Sequence, residues 1–212
     1  NDEAQEQVRL SRDRAEAMLR EVNHRVGNSL QLVSSFISLQ MRQVDDEAAR
    51  TALRDAQARI GAVADVHRRL YSSDDMSRVA IDEYLGGLID ELGKSLGSQS
   101  VSPTLVLDAV PLAVSPDHAV GLGMIVTELV TNAVKYAYAP GAGGEIRVLL
   151  RLEADHRAVL TVEDDGCGMK DAPPRGTGLG RRIITAMASG LGSQVEFDPD
   201  YSGVRARLAF SF

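Results

Sequence analysis

Glu128-Leu129-Val130-Thr131-Asn132-Ala133-Val134-Lys135-Tyr136-Ala137 is the stretch on which the fold turns. It lies in a helical register that opens at Ser115-Pro116-Asp117, a cap followed by proline at the first helical position and an acid in the first turn. The register runs to about Tyr138, before Pro140 and Gly141. Glu128, Asn132 and Lys135 are spaced i, i+4 and i+7, so a carboxylate, an amide and an ammonium share one helix face. Such a stripe offers the hard oxygen ligands Mg²⁺ prefers and a point charge for a phosphate. Taken alone, it reads more simply as a solvated face opposite Leu122, Ile125, Leu129 and Ala133.

Toward the C-terminus the period changes from 3.6 to 2. Ile146, Val148, Leu150 and Leu152, then Ala158, Leu160 and Val162, alternate as a hairpin across Ala154 to Arg157. The second strand enters Val162-Glu163-Asp164-Asp165-Gly166-Cys167-Gly168-Met169, where glycine permits positive φ and close backbone approach to a ligand. Asp164 can there accept a hydrogen bond from an adenine amino group, although the same text also serves an ordinary hairpin exit. Gly176-Thr177-Gly178-Leu179-Gly180 opens a helix from Leu179 to Leu191, with Arg181 and Arg182 nearby. The N–H groups of a helix start bind anions, a cap or flexible turn being the plainer alternative. Val195 and Phe197 pair with Val204, Ala206, Leu208 and Phe210 as a closing hairpin. Upstream, Ile81 to Leu96 reads as a helix and Val101 to Ala109 as a strand. Helices and largely antiparallel strands in this order predict an α+β chain with a two-layer α/β sandwich.

The first part of the chain is different. Leu19, Val22, Val26, Leu30, Val33, Ile37, Met41 and Val44 recur at helical spacing in a helix predicted over residues 1–44. Asp45 and Asp46 make a turn and N-cap, and Ala48, Ala52, Leu53, Ala56, Ile60, Val63, Val66 and Leu70 continue the pattern to about Tyr71. Two helices joined so tightly form an antiparallel hairpin, which leaves an apolar face for a second copy or for the rest of the chain. At about 100° per residue, His24 falls roughly 150° from the centre of the apolar stripe. Asn28, Gln31 and Ser35 share its exposed face. The polar segment Ser72 to Arg78 marks a boundary, dividing the chain into 1–75 and 76–212. A helical register already running at residue 1 suggests an N-terminal continuation.

Composition limits the possibilities. A chain of 212 residues with 44% hydrophobic content can bury a real core. A net charge of -7 argues against broad nucleic-acid binding, and no apolar run approaches the roughly 20 residues a membrane helix requires. Cys167 is the only cysteine, which excludes an intramolecular disulfide and fits a reducing, cytoplasmic setting. His67, His118 and His156 lack any motif and are expected to be structural or solvated.

In order, these motifs resemble the ATP-binding domain shared by histidine kinases, gyrase, Hsp90 and MutL, and the text from Glu128 to Ala137 is similar to the histidine-kinase N box nearly letter for letter. The resemblance implies that Asn132 binds Mg²⁺, with Glu128 as a further ligand or a base. It implies that Asp164 reads adenine and that Lys135, Tyr136, Gly166, Gly168, Gly176, Thr177, Gly178, Leu179 and Gly180 shape the ATP pocket and its lid. His24-Arg25-Val26-Gly27-Asn28-Ser29-Leu30-Gln31-Leu32-Val33, with Leu39-Gln40 beyond, resembles the phosphoacceptor helix of the second HisKA class. By that resemblance the chain is a two-component histidine kinase that phosphorylates His24 from ATP, passes the group to a receiver-domain aspartate and dimerises through the hairpin.

Departures from the commoner kinases sharpen the class. Arg25 stands where they carry an acid after the phosphoacceptor, and by charge repulsion it favours the neutral, nucleophilic imidazole. Gly27 replaces a common lysine and costs about 1 kcal/mol of helix stability relative to alanine. Only seven residues separate Gly168 from Gly176, so the lid is short. Thr127 before Glu128 and the absence of tryptophan exclude the sister HWE kinases. The competing readings are a histidine phosphotransfer protein with a nucleotide-binding-like domain and an ATP-binding anti-sigma type regulator.

Overall fold

Ser115, Pro116 and Asp117 open the central helix as their chemistry dictates: Ser115 has extended backbone angles, and its hydroxyl accepts from the His118 N–H at 3.3 Å. A computed structural model describes residues 2–47, 49–50, 52–54, 56–57, 60–61, 64, 78–96, 103–139, 141–154, 156–168 and 178–212. The chain forms two compact units, residues 1–74 and 75–212.

In the first unit α1 spans Asp2–Met41 and ends in a tightened turn, Arg42 N–H donating to Leu39 O and Gln43 N–H to Gln40 O. It stops short of the predicted residue 44. Asp46 caps the next helical segment, its Oδ2 accepting from Ala49 N at 3.2 Å. Described residues from 47 to 64 are helical, and Gln57 Nε2 donates back to Ser34 O and the Ser38 hydroxyl, closing an antiparallel hairpin. The rest of the predicted second helix, 65–71 with His67, lies outside the described residues.

The hairpin covers only one flank of α1. Leu30, Ile37 and Met41 are half-buried, but Val22, Val26 and Val33 of the same stripe are exposed, as are Met18, Leu32, Phe36 and Leu39. The apolar surface is therefore broader than the predicted stripe. One facing helix can shield only part of such a sector.

In the second unit β1 (Val79–Ala80) pairs antiparallel with β3 (Ala113–Val114), and α2 (Ile81–Leu96), β2 (Thr104–Ala109) and α3 (Pro116–Tyr136) complete the first half. Then come β4 (Glu145–Ala154), β5 (Arg157–Asp164), α4 (Leu179–Gly190), β6 (Val195–Phe197) and β7 (Val204–Ser211). The main sheet has the order β2-β4-β5-β7-β6, antiparallel except for the parallel edge pair β2-β4. Of the predicted strand 101–109, residues 101 and 102 lie outside the described residues.

Alternation turns Ile146, Val148 and Leu150, then Ala158, Leu160 and Val162, then Ala206, Leu208 and Phe210, toward the helices. Leu122, Ile125, Val126 and Val130 of α3 are buried against β4 and β5, and Ile81 and Leu85 of α2, which packs on β2 and α3, are buried as well. Burying one such side chain contributes about 1.5–3 kcal/mol, so this layer dominates the unit's stability. His118 lies edge-on to Phe210, and His156 takes the positive φ of 59° at the β4-β5 turn beside Phe212.

Candidate functional site

The polar stripe of α3 descends from interior to surface. Glu128 is only 4% exposed, Asn132 is half-buried, and Lys135 and Tyr136 are exposed. Burial of a carboxylate corrects the solvated-face reading, because ionised groups are buried only where partners or ligands compensate desolvation. Among the described residues no three Asp, Glu, His or Cys side chains gather as a metal cluster. The oxygen donors of Asn132 and Glu128 one turn apart suit Mg²⁺, which typically takes one or two carboxylates and draws its remaining ligands from phosphate and water.

The helical register predicts that α3 reaches about Tyr138, but the helix ends at Tyr136, with Ala137 as C-cap still donating to Ala133 O while its own carbonyl and the Tyr138 hydroxyl bond to the turn after β5. Ala137 O accepts from Cys167 N at 2.9 Å. Tyr138 Oη accepts from Asp165 N at 3.1 Å. The turn after β5 thus caps the C-terminus of α3, satisfying a carbonyl that a helix end leaves open. Gly166 is required by this contact, since a Cβ there would lie 2.3 Å from Ala137 O. Gly168 has φ +72°, with Ser202 O 2.8 Å from where its Cβ would be, so both conformation and space demand glycine.

Asp164 ends β5 facing the helices and is 3% exposed. Its Oδ1 accepts from Gly166 N at 2.9 Å and Val204 N at 3.3 Å, and no described residue donates to Oδ2. Burial raises its pKa above the ordinary aspartate value, and the two N–H donors partly oppose that rise.

The open face of the same strand end carries a charge cluster that the sequence reading missed. Arg147, Glu163 and Arg205 are cross-strand neighbours on β4, β5 and β7. Glu163 accepts from Arg147 Nε at 2.7 Å and Arg205 Nε at 2.6 Å, one guanidinium per oxygen. Arg147 also grips both oxygens of Asp165 at 2.7 Å, Glu145 at 3.0 Å and Tyr201 Oη at 2.8 Å, using all five of its donors. Arg205 stacks over the Tyr201 ring at 3.8 Å. The Arg147 and Tyr201 hydrogen bonds lower the Asp165 pKa to about 2. Burial pushes Glu163 upward, but the two guanidinia outweigh it and the net shift is downward. The available signal was charge at alternate positions of β4, β5 and β7, strands that neighbour one another in the sheet but not all in the sequence.

The second glycine box is partly described. Gly178 is the N-cap of α4 with φ 69° and makes no side-chain cap bond, Gly180 is buried, and Arg181 and Arg182 are exposed. Gly176 and Thr177 lie outside the described residues, as does the Leu179 side chain. In the first unit Arg25 and Asn28 are exposed, and Arg25 pairs with Glu21 at 2.7 Å. His24 lies in α1, its side chain outside the described residues.

A mixed sheet under three helices, with a buried aspartate turn strapped to the end of a polar-striped helix, defines one ATPase class. Residues 117–211 match the histidine kinase-, DNA gyrase B-, and HSP90-like ATPase family. Residues 21–96 match the second HisKA family, histidine kinase, and the chain belongs to the histidine kinases of that class. It is 32% identical over 191 residues to the sensor histidine kinase PdtaS of Mycobacterium tuberculosis, an alignment covering 84% of this chain and 36% of the relative. Blue-light-activated histidine kinase 2 of Erythrobacter litoralis is 28% identical over 199 residues, with 87% of this chain and 55% of the relative covered. The chain thus spans about a third to a half of these relatives. In fold it resembles the histidine kinase domain of the blue-light activated histidine kinase of Erythrobacter litoralis, with TM-score 0.62 and 19% identity. That likeness covers 85% of this chain and 95% of that one. No helix among the described residues is long and apolar enough to cross a membrane.

Proposed function

We propose that the chain is the catalytic core of a cytoplasmic two-component kinase. In this reading residues 1–75 form the dimerising phosphotransfer hairpin and residues 76–212 bind ATP. The observation that supports it is the bonding of the turn after Asp164 to the residues that end α3, the helix that carries the stripe of Glu128, Asn132 and Lys135. Asp164 accepts the adenine amino group through Oδ2, the oxygen without a described partner. Asn132 and Glu128 would hold Mg²⁺, which would offset charge on the phosphates, and Lys135 with the N-terminus of α4 after Gly176, Thr177 and Gly178 would supply positive potential for the phosphate chain. Tyr136, Gly166, Gly168, Leu179 and Gly180 complete the walls.

A neutral imidazole nitrogen of His24 attacks the γ-phosphorus in line, the N–P bond forming as the bond to the ADP oxygen breaks. The other ring nitrogen then releases its proton to solvent. Arg25, paired with Glu21, follows His24 directly, and Asn28 lies one turn further along α1. A receiver-domain aspartate then takes the phosphoryl group. The exposed flank of Val22, Leu32, Val33, Phe36 and Leu39 supports pairing with a second copy, since so large an apolar patch is rarely left in water.

Incubation with γ-labelled ATP and Mg²⁺ should give acid-labile, alkali-stable label on the wild type. His24→Ala should lose the label while still binding nucleotide, and Asn132→Ala should lose the label together with Mg²⁺-dependent binding. An unlabelled wild type across a range of Mg²⁺ would refute the proposal.

A further inference from the structure

Tyr138 lies just beyond the helix that carries the polar stripe, yet its hydroxyl belongs to the sheet. It donates to Glu145 O at 2.6 Å, accepts from Glu145 N at 3.1 Å and accepts from Asp165 N at 3.1 Å. One donor and two lone pairs are all a phenol has, so its hydrogen-bonding capacity is filled. The last ladder pair of β4 and β5 is Ile146 with Asp164, and the next would be Glu145 with Asp165. The Tyr138 hydroxyl bridges those two residues. It holds the pair where direct strand pairing ends, and the ring has room because residue 144 is glycine, whose Cβ would fall 2.1 Å from it. Asp165 is exposed, so without this bond its N–H would face water.

From this geometry we infer that Tyr138 is a positioning residue for nucleotide recognition, holding the backbone beside Asp164 so that its carboxylate meets the base in a fixed orientation. This rests on the proposed ATP site. The hydroxyl bonds residue 165 directly after Asp164, and Ala137 bonds residue 167, so two points of the turn are tied to consecutive residues at the end of α3. With the first tie cut, Asp164 keeps its Gly166 and Val204 donors, but the turn keeps only the Cys167 tie to the end of α3, and the aim of the carboxylate relative to the stripe of Asn132 and Lys135 loosens. Binding should suffer, and the discrimination of adenine from guanine most of all, because that depends on the aim of one carboxylate. Chemistry at saturating ATP should change little.

The test uses Tyr138→Phe in the full chain, which keeps the ring and removes the hydroxyl. ATP affinity by titration should weaken about fivefold, the scale of one net hydrogen bond, and the ratio of ATP to GTP affinity should fall by a similar factor. The KM for ATP should rise while kcat for His24 labelling stays within about twofold. Folded Tyr138→Phe with wild-type affinity and wild-type ATP:GTP ratio would overturn the inference. Should the variant not fold, amide exchange in the wild type decides: a protected Asp165 N–H supports the tie, and exchange at the rate of a free peptide overturns it. Failure of the wild type to bind ATP would instead strike the proposed function.

Discussion

Replacing Gly166 by alanine should weaken the second unit even without nucleotide. Its Cβ would sit 2.3 Å from Ala137 O and 2.6 Å from Ala137 Cβ, and neither atom can rotate away because both are fixed by the backbone at the end of α3. Relief requires the turn to lift from the helix, which breaks the 2.9 Å bond from Cys167 N to Ala137 O. Overpacking of this kind costs about 1–3 kcal/mol, and a lost hydrogen bond about 1 kcal/mol. Together they give about 3 kcal/mol, or roughly 10 °C in Tm for a unit of this size. Calorimetry of the ligand-free chain should show the drop, while Gly190→Ala, whose new methyl meets nothing within 4 Å, should stay within about 2 °C of wild type. If Gly166 mattered only for admitting a ligand, Gly166→Ala would melt with the wild type and lose nucleotide affinity alone. That result would refute the packing argument.

Two further outcomes concern the charge cluster. Glu163→Ala removes the acceptor of both Arg147 Nε and Arg205 Nε, on guanidinia that are 21% and 33% exposed and keep their other partners. It should cost about 2 kcal/mol in chemical denaturation, less than the about 3–5 kcal/mol of breaking a fully buried pair, with Glu163→Gln between the two. Acid should also weaken the unit: the folded pKa values of Glu163 and Asp165 lie below their ordinary 4.5 and 3.8, so their stabilisation is present above about pH 4.5 and is lost as pH falls toward about 2. Asp164 is shifted the other way, favouring the folded state at low pH and offsetting part of the loss. A denaturation midpoint flat from pH 5 to roughly 2.5 would contradict this balance.

Much of the fold is legible in the residues because period and punctuation agree. α2 occupies the Ile81–Leu96 span its pattern predicts, and the β4-β5 and β6-β7 hairpins form where alternation and turn residues place them. Period 2 carries no information on direction, so the parallel pairing of β2 with β4 was hidden. A pair of two-residue strands, β1 and β3, is too short to leave a period at all. The end of α3 was misplaced because Ala137 and Tyr138 are drawn into tertiary bonds that helix propensity does not contain. For the same reason the polar helix and the Asp164 turn could be read as separate motifs, but not as parts bonded to each other. Glu128 shows the converse: a helical wheel places it among polar neighbours, and only packing reveals that it is buried.

The parallel edge strand bears on how the unit assembles. β4 and β5 meet across a turn of two residues, so that hairpin consists of near-neighbour contacts, whereas β7 pairs with β5 only after α4 and β6 have intervened. β2 can reach β4 only after the whole of α3 has been looped between them. Closing that crossover spends chain entropy before any rung is gained, so β2 is expected to dock late, on a β4-β5 hairpin already formed. In kinetic terms, substitutions in β2 should accelerate unfolding and leave the folding rate nearly unchanged, while substitutions in the β4-β5 hairpin should slow folding.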